Sequence, residues 1–212
     1  EIMGILNAAG KRIVEFSGIM SNPTYAKVQE GAKLARENHV DLILAVGGGS
    51  VSDCCKVISG AFDTLSHAME TYFGKPDENN LSDDINEAVM RSVIRSIRIL
   101  LTDPENYDAR SELAQASAMA ENGVLKIGKV TDFQAHQIQH QLGAYTDCNH
   151  GAGLAVIHPV LYRHIYKSGA ARFARFAQNV WGIAPKDSID ETAAAGIDAL
   201  ADFIREIGLP TT

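Results

Sequence analysis

The clearest periodicity in the chain runs through Ile85, Val89, Val93, Ile97 and Leu101, which recur at i+4 and form one apolar ridge. Asp83 and Asp84 precede it, suited to the positive first turn of a helix, with Ser82 the expected N-cap and Pro104 the stop. Arg91, Arg95 and Arg98 fall on other faces of the same cylinder. Further helices are predicted from about Tyr107 to Leu125 and from about Asp187 to Ile207, before Gly208. Around residue 65, Phe62, Leu65, Met69 and Phe73 share a face at about 100° per residue.

The first part of the chain has a different rhythm. Ile2, Ile5 and Leu6 have helical spacing that Gly10 closes, and Arg12 to Phe16 is a short strand candidate. Ser21-Asn22-Pro23 opens a helix that continues through Val28, Ala32 and Ala35 to about His39. Asp41 to Val46 is nearly all apolar, the pattern of a parallel strand buried on both faces, and it runs into Gly47-Gly48-Gly49-Ser50. No convincing strand follows residue 60. The expected organisation is therefore α/β over 1–59 and all-α over 60–212. A two-stranded parallel unit cannot cover both of its faces, so part of this sheet is expected to be missing from the sequence.

Composition narrows the class. The 212 residues are 46% hydrophobic and 21% charged, which excludes a disordered chain. Nineteen Lys and Arg against 26 Asp and Glu leave a net charge of −7, which argues against nucleic acid as a partner. No apolar run is long enough to span a bilayer and no signal peptide is visible, so no membrane partner is expected. Three cysteines, Cys54 and Cys55 adjacent, do not make a disulfide framework; a reducing cytoplasm is expected.

Three clusters carry candidate chemistry. Gly47-Gly-Gly-Ser50-Val-Ser-Asp53 follows a buried strand, where backbone N–H groups and a helix N-terminus could meet a phosphate; a plain tight turn accounts for it equally well. Asp63 and His67 stand one helical turn apart and point the same way, within reach of one divalent metal, although an N-cap Asp with an ordinary histidine explains that pair alone. The third cluster shifts the balance. Five of the seven histidines fall at 136, 140, 150, 158 and 164, with His136 and His140 on one helix face and His150 beside Gly151. Together with Asp63-x-x-x-His67 this composition points to a metal site, while His158 and His164 read as structural. His136-Gln-Ile-Gln-His140 is also similar to the zincin H-E-x-x-H, but Gln137 replaces the general base, so metalloprotease chemistry is disfavoured.

Gly47-Gly-Gly-Ser-Val-x-Asp53-x-x-Lys56, Gly60-Ala-Phe-Asp63-Thr-Leu-Ser-His67-Ala-Met-Glu70 and His136-Gln-Ile-Gln-His140-x-Leu-x-Ala144 with His150-Gly151 together resemble the iron-containing alcohol dehydrogenase family, closest to its butanol dehydrogenase branch. Ala116 to Gly123 and Ile207 to Thr212 extend the likeness. The resemblance implies a remnant of an N-terminal Rossmann-like dinucleotide domain over 1–59 and a helical, metal-binding domain over 60–212, with a dehydroquinate synthase-like architecture. It implies Asp63, His67, His136 and His150 as ligands of Fe²⁺ or Zn²⁺, and Gly48, Gly49, Ser50 and Asp53 as the pyrophosphate loop of NAD or NADP. His140 then matches the catalytic histidine near the nicotinamide. The implied activity is hydride transfer between NAD(P)H and a small primary alcohol or aldehyde, and the implied assembly is a homodimer.

The departures from that pattern are specific. Only Val57, Ile58 and Ser59 separate segments between which the family carries a long stretch of its dinucleotide domain, and Phe133 replaces the branch's usual Trp. The chain also stops at Thr212, where the family continues. The sequence is therefore expected to be a partial view, with the backbone interrupted between Lys56 and Ala61. A metal- and NAD-dependent lyase of the dehydroquinate synthase type is the alternative, disfavoured because the metal segments are poor in Lys and Arg. A non-catalytic metal-binding fragment is the reading that follows if the internal deletion is real.

Overall fold

The structure is a computed structural model that describes residues 10–14, 33, 34, 37, 38, 50–76 and 78–211, with residues 50–59 described by their backbone alone. The chain divides into two compact units, Glu1–Gly48 and Gly49–Thr212. In the first unit, Gly10 turns at φ 68, and residues 33, 34 and 37 are helical, inside the helix expected to end near His39. Residues 11–14 form no strand, and the rest of the expected strand-and-helix pattern lies outside the described residues.

The second unit is helical. Its elements are α1 (Ser50–Tyr72), α2 (Leu81–Thr102), α3 (Tyr107–Glu121), a 3₁₀ turn (Val124–Lys126), α4 (Gln134–Thr146), α5 (His150–Ile165), a second 3₁₀ turn (Tyr166–Gly169), α6 (Ala170–Asn179) and α7 (Ile189–Glu206). Among the described residues the one β-type pairing is an antiparallel bridge between Lys75 and Val130. Helix α1 is the central post. From Ala61 to Tyr72 nearly every side chain is buried, because α2, α3 and α5 pack around it. Phe62, Leu65 and Met69 are fully enclosed, each contributing about 2 kcal/mol by burial. The expected ridge of α2 faces this core: Val89, Val93 and Ile97 are buried, Ile85 and Leu101 partly so. Helices α6 and α7 pair at the far end, where Gly196 lets α7 approach α6 closely; a Cβ there would stand 2.8 Å from that of Ala177.

Three expectations shift. The cap of α2 is Asn80, not Ser82: Asn80 accepts the Asp83 N–H at 3.1 Å, and Asp83 accepts the Asn80 N–H at 3.2 Å. Ser82 instead donates to the Ile127 carbonyl at 2.7 Å. The helix after Tyr107 stops at Glu121, because Asn122 and Gly123, the latter at φ 87, turn the chain before the short 3₁₀ segment. The third concerns continuity: the backbone is unbroken between Lys56 and Ala61, since α1 runs through that stretch.

A buried ionic lattice ties α2 to α6 and to the segment before α4. The Asp83 carboxylate, fully buried, meets Lys129 Nζ and Arg172 at 2.7 Å each. Burial alone would raise its pKa, but these two cations hold it below the usual carboxylate range.

Candidate metal centre

Three helices bring the site together. Helix α1 supplies Asp63 and His67, α4 supplies His136, and α5 begins with His150, its N-cap Asn149 accepting the Ala152 N–H at 3.1 Å. The three imidazoles converge on one carboxylate oxygen. Asp63 Oδ1 lies 3.3 Å from His136 Nε2, 3.5 Å from His150 Nε2 and 3.7 Å from His67 Nε2. For ligands about 2.1 Å from a tetrahedral ion, neighbouring donor atoms stand about 3.4 Å apart, so these spacings fit a divalent metal held by nitrogen and oxygen. The ligand atoms of Asp63, His136 and His150 all lie within 4.8 Å of one another. His67 is outside that set of three; its Nε2 is 2.9 Å from Glu121 Oε1, at the end of α3, and its Nδ1 is buried without a partner.

Electrostatics and exposure give the site a direction. Burial would raise Asp63, but hydrogen bonds from His136 and His150 outweigh it and hold the carboxyl well below its usual range. Burial would lower His136, yet hydrogen bonds to Asp63 and Glu70 raise it to about 9. His67 moves the other way, lowered by burial and by the neighbouring His136. The His136 side is closed, its side chain 7% exposed, whereas that of His150 is 33% exposed. His140, exposed and one turn beyond His136, stacks on the His150 ring at 5.5 Å and 27°. The open mouth is therefore lined by His140 and His150.

Several neighbours were assigned no role at the metal from the sequence. Glu70, buried on α1, faces His136 Nδ1 and takes the Ala135 N–H at 2.6 Å. Its register was the available clue, since Asp63, His67 and Glu70 follow i, i+4, i+7. Phe133 packs its ring 5.3 Å from that of His67 and 5.2 Å from that of His136, with Lys126 Nζ 4.8 Å over it. It does so from a left-handed backbone at φ 54, which strains a bulky residue. His158 is fully buried: its Nε2 is 2.6 Å from Ser66 Oγ, and burial depresses its pKa to about 4. His164 is exposed. Of the expected pyrophosphate loop, Gly48 and Gly49 and the side chains of Ser50 and Asp53 lie outside the described residues. No helix among the described residues is long and apolar enough to cross a membrane.

Known proteins share this arrangement of sequence and fold. Residues 57–212 match the C-terminal part of the Fe-containing alcohol dehydrogenase family, and residues 1–90 match the iron-containing alcohol dehydrogenase description. NADH-dependent butanol dehydrogenase B of Clostridium acetobutylicum is 27% identical, over 99% of this chain and 75% of that protein. NADPH-dependent aldehyde reductase YqhD of Escherichia coli is 25% identical, over 95% of this chain and 74% of its own length. The substrate- and cofactor-free structure of YqhD superposes with a TM-score of 0.79, covering 99% of this chain and 76% of that one. The NADH-dependent butanol dehydrogenase A structure from Thermotoga maritima, 24% identical, has the same fold at a TM-score of 0.80, over 100% and 73% of the two chains. The match to the Clostridium enzyme runs over 293 positions and this chain has 212 residues, so at least 81 of those positions have no counterpart here.

Proposed function

This chain belongs to the iron-containing alcohol dehydrogenase family, and from that premise we propose that it transfers a hydride between NAD(P)H and a small primary alcohol or aldehyde. The observation that carries this reading is the convergence of His67, His136 and His150 on one oxygen of Asp63. Asp63, His67, His136 and His150 would hold Fe²⁺ or Zn²⁺, with His67 exchanging Glu121 for the ion. When bound, the metal supplies Lewis acidity at the carbonyl oxygen and the nicotinamide supplies the hydride. Asp63, kept ionised by its histidines, gives the site one negative charge, and three neutral imidazoles add none. His140, on the open side of His150, positions the nicotinamide or passes the alcohol proton to solvent.

The same reading places the pyrophosphate on Gly48, Gly49, Ser50 and Asp53, in what residues 1–59 retain of a dinucleotide domain, with 60–212 as the metal-binding domain. The relatives' additional positions would then fall largely between Lys56 and Gly60. A cytoplasmic homodimer is part of this proposal. The test is reduction of butanal by NADH or NADPH, followed by nicotinamide absorbance, with protein loaded with Fe²⁺ or Zn²⁺. Turnover should vanish on chelation and in His136→Ala, and its absence in the loaded parent would defeat the proposal.

The 81 or more positions of the Clostridium enzyme's match that lack a counterpart favour a second reading: a metal-binding chain that holds no nucleotide. Nicotinamide fluorescence separates the two. Saturable binding of NADH or NADPH supports the dehydrogenase; metal binding with no nucleotide binding supports the second reading.

A further inference from the structure

We propose that Glu70 is the positioning residue of the metal centre, fixing both the ring nitrogen that His136 offers and the helix that carries it. This rests on the metal reading above. Glu70 sits on α1, seven residues beyond Asp63 and 4% exposed. Its Oε2 faces His136 Nδ1, while Nε2 of the same ring faces Asp63 Oδ1 at 3.3 Å. With Nδ1–H donated to Glu70, His136 has Nε2 alone left for a metal. A carboxylate behind a ligating imidazole fixes its tautomer and raises its basicity.

The second oxygen does different work. Helix α4 starts after Phe133, which offers no side-chain cap; Asp132 accepts the Gln134 N–H at 3.0 Å, and Glu70 Oε1 accepts the next one, Ala135 N–H, at 2.6 Å. A carboxylate is favourable against a helix N-terminus, so Glu70 pins the first turn of α4 onto α1. One buried side chain thus sets the distance between two ligand-bearing helices and the rotation of a ligand ring. Both oxygens of this otherwise costly buried carboxylate are used by donors of the site's own helix.

A purely structural Glu70 and a positioning Glu70 differ in what the change Glu70→Gln does. The side-chain carbonyl of that variant can still accept from Ala135 N–H, but its amide then presents N–H toward Nδ1. The ring must turn over or accept there, which places a proton on Nε2. Glu70→Gln should therefore keep the fold while weakening the metal. The experiment measures Co²⁺ and Zn²⁺ affinity of stripped protein by chelator competition, the Co²⁺ d–d spectrum, and the metal-free melting temperature.

The parent should bind both ions and His136→Ala should not. Glu70→Gln should bind roughly 10- to 100-fold more weakly, with altered Co²⁺ bands, parent-like circular dichroism and a metal-free melting temperature lowered by loss of the buried pair with protonated His136. Affinity and spectrum equal to the parent's would overturn the proposal and leave the metal centre intact. A parent that binds neither ion would defeat the metal reading itself, an outcome visible before any variant is made. If Glu70→Gln fails to fold by circular dichroism, Glu70→Asp takes its place: it keeps the charge but is one methylene too short to meet both donors, and the same criterion applies.

Discussion

Metal affinity should rise steeply with pH, because the ion must displace a proton from His136. In the metal-free site this ring lies between the carboxylates of Asp63 and Glu70. Burial opposes its charge, but the two hydrogen bonds win and raise it to about 9. The protonated form therefore dominates below that value, and a cationic ring cannot ligate. Between pH 7 and 9 one proton is lost for each ion bound, so apparent affinity should grow about tenfold per pH unit and level off above 9. Over two units this is about 100-fold, or about 2.7 kcal/mol. His67, lowered in pKa, adds no proton to displace over this range. The assay is competition of Co²⁺ between stripped protein and a chromophoric chelator, each point corrected for chelator and hydroxide equilibria. A flat profile from pH 7 to 9 would refute the reasoning, since His136 would then be neutral between its two carboxylates.

Three further outcomes follow from the same contacts. His140→Ala should keep the metal and lower turnover, because the ring stacks on His150 without joining the ligand set; metal analysis beside turnover checks this, and loss of metal would reverse the assignment. Asp83→Asn should cost about 3–5 kcal/mol in urea denaturation, since Lys129 and Arg172 would be left facing a neutral amide in a buried setting. His158, held neutral with its pKa near 4, binds a proton in the unfolded chain before the folded one. The metal-free protein should therefore lose up to about 3 kcal/mol as pH falls from about 6.5 to 4, and His158→Gln should flatten that limb of the stability curve.

What was legible in the sequence was what depends on local spacing. The i+4 ridge of α2 and the pairing of Asp63 with His67 and of His136 with His140 on single helix faces follow from 3.6 residues per turn. The resemblance that these motifs carried agrees with the family match over residues 57–212. What escaped depends on partners distant in the chain. Glu70 acts on residues 65 and 66 positions away, so its register with Asp63 and His67 puts it on their helix face without naming its partners. The cap of α2 moved to Asn80 because Ser82 is taken by Ile127, 45 residues on. Phe133 adopts a conformation its type disfavours because two histidine rings and Lys126 surround it. Glu121, which takes Nε2 of His67, lies on a helix whose sequence named no ligand.

The most direct test of the central claim is a crystal structure of the protein loaded with Co²⁺ or Zn²⁺, read by the anomalous signal of the ion. The account predicts one peak about 2.0–2.2 Å from Asp63, His67, His136 and His150, with His67 released from Glu121 and Glu70 still on His136 Nδ1. A peak held by other residues, or none at saturating metal, would contradict it.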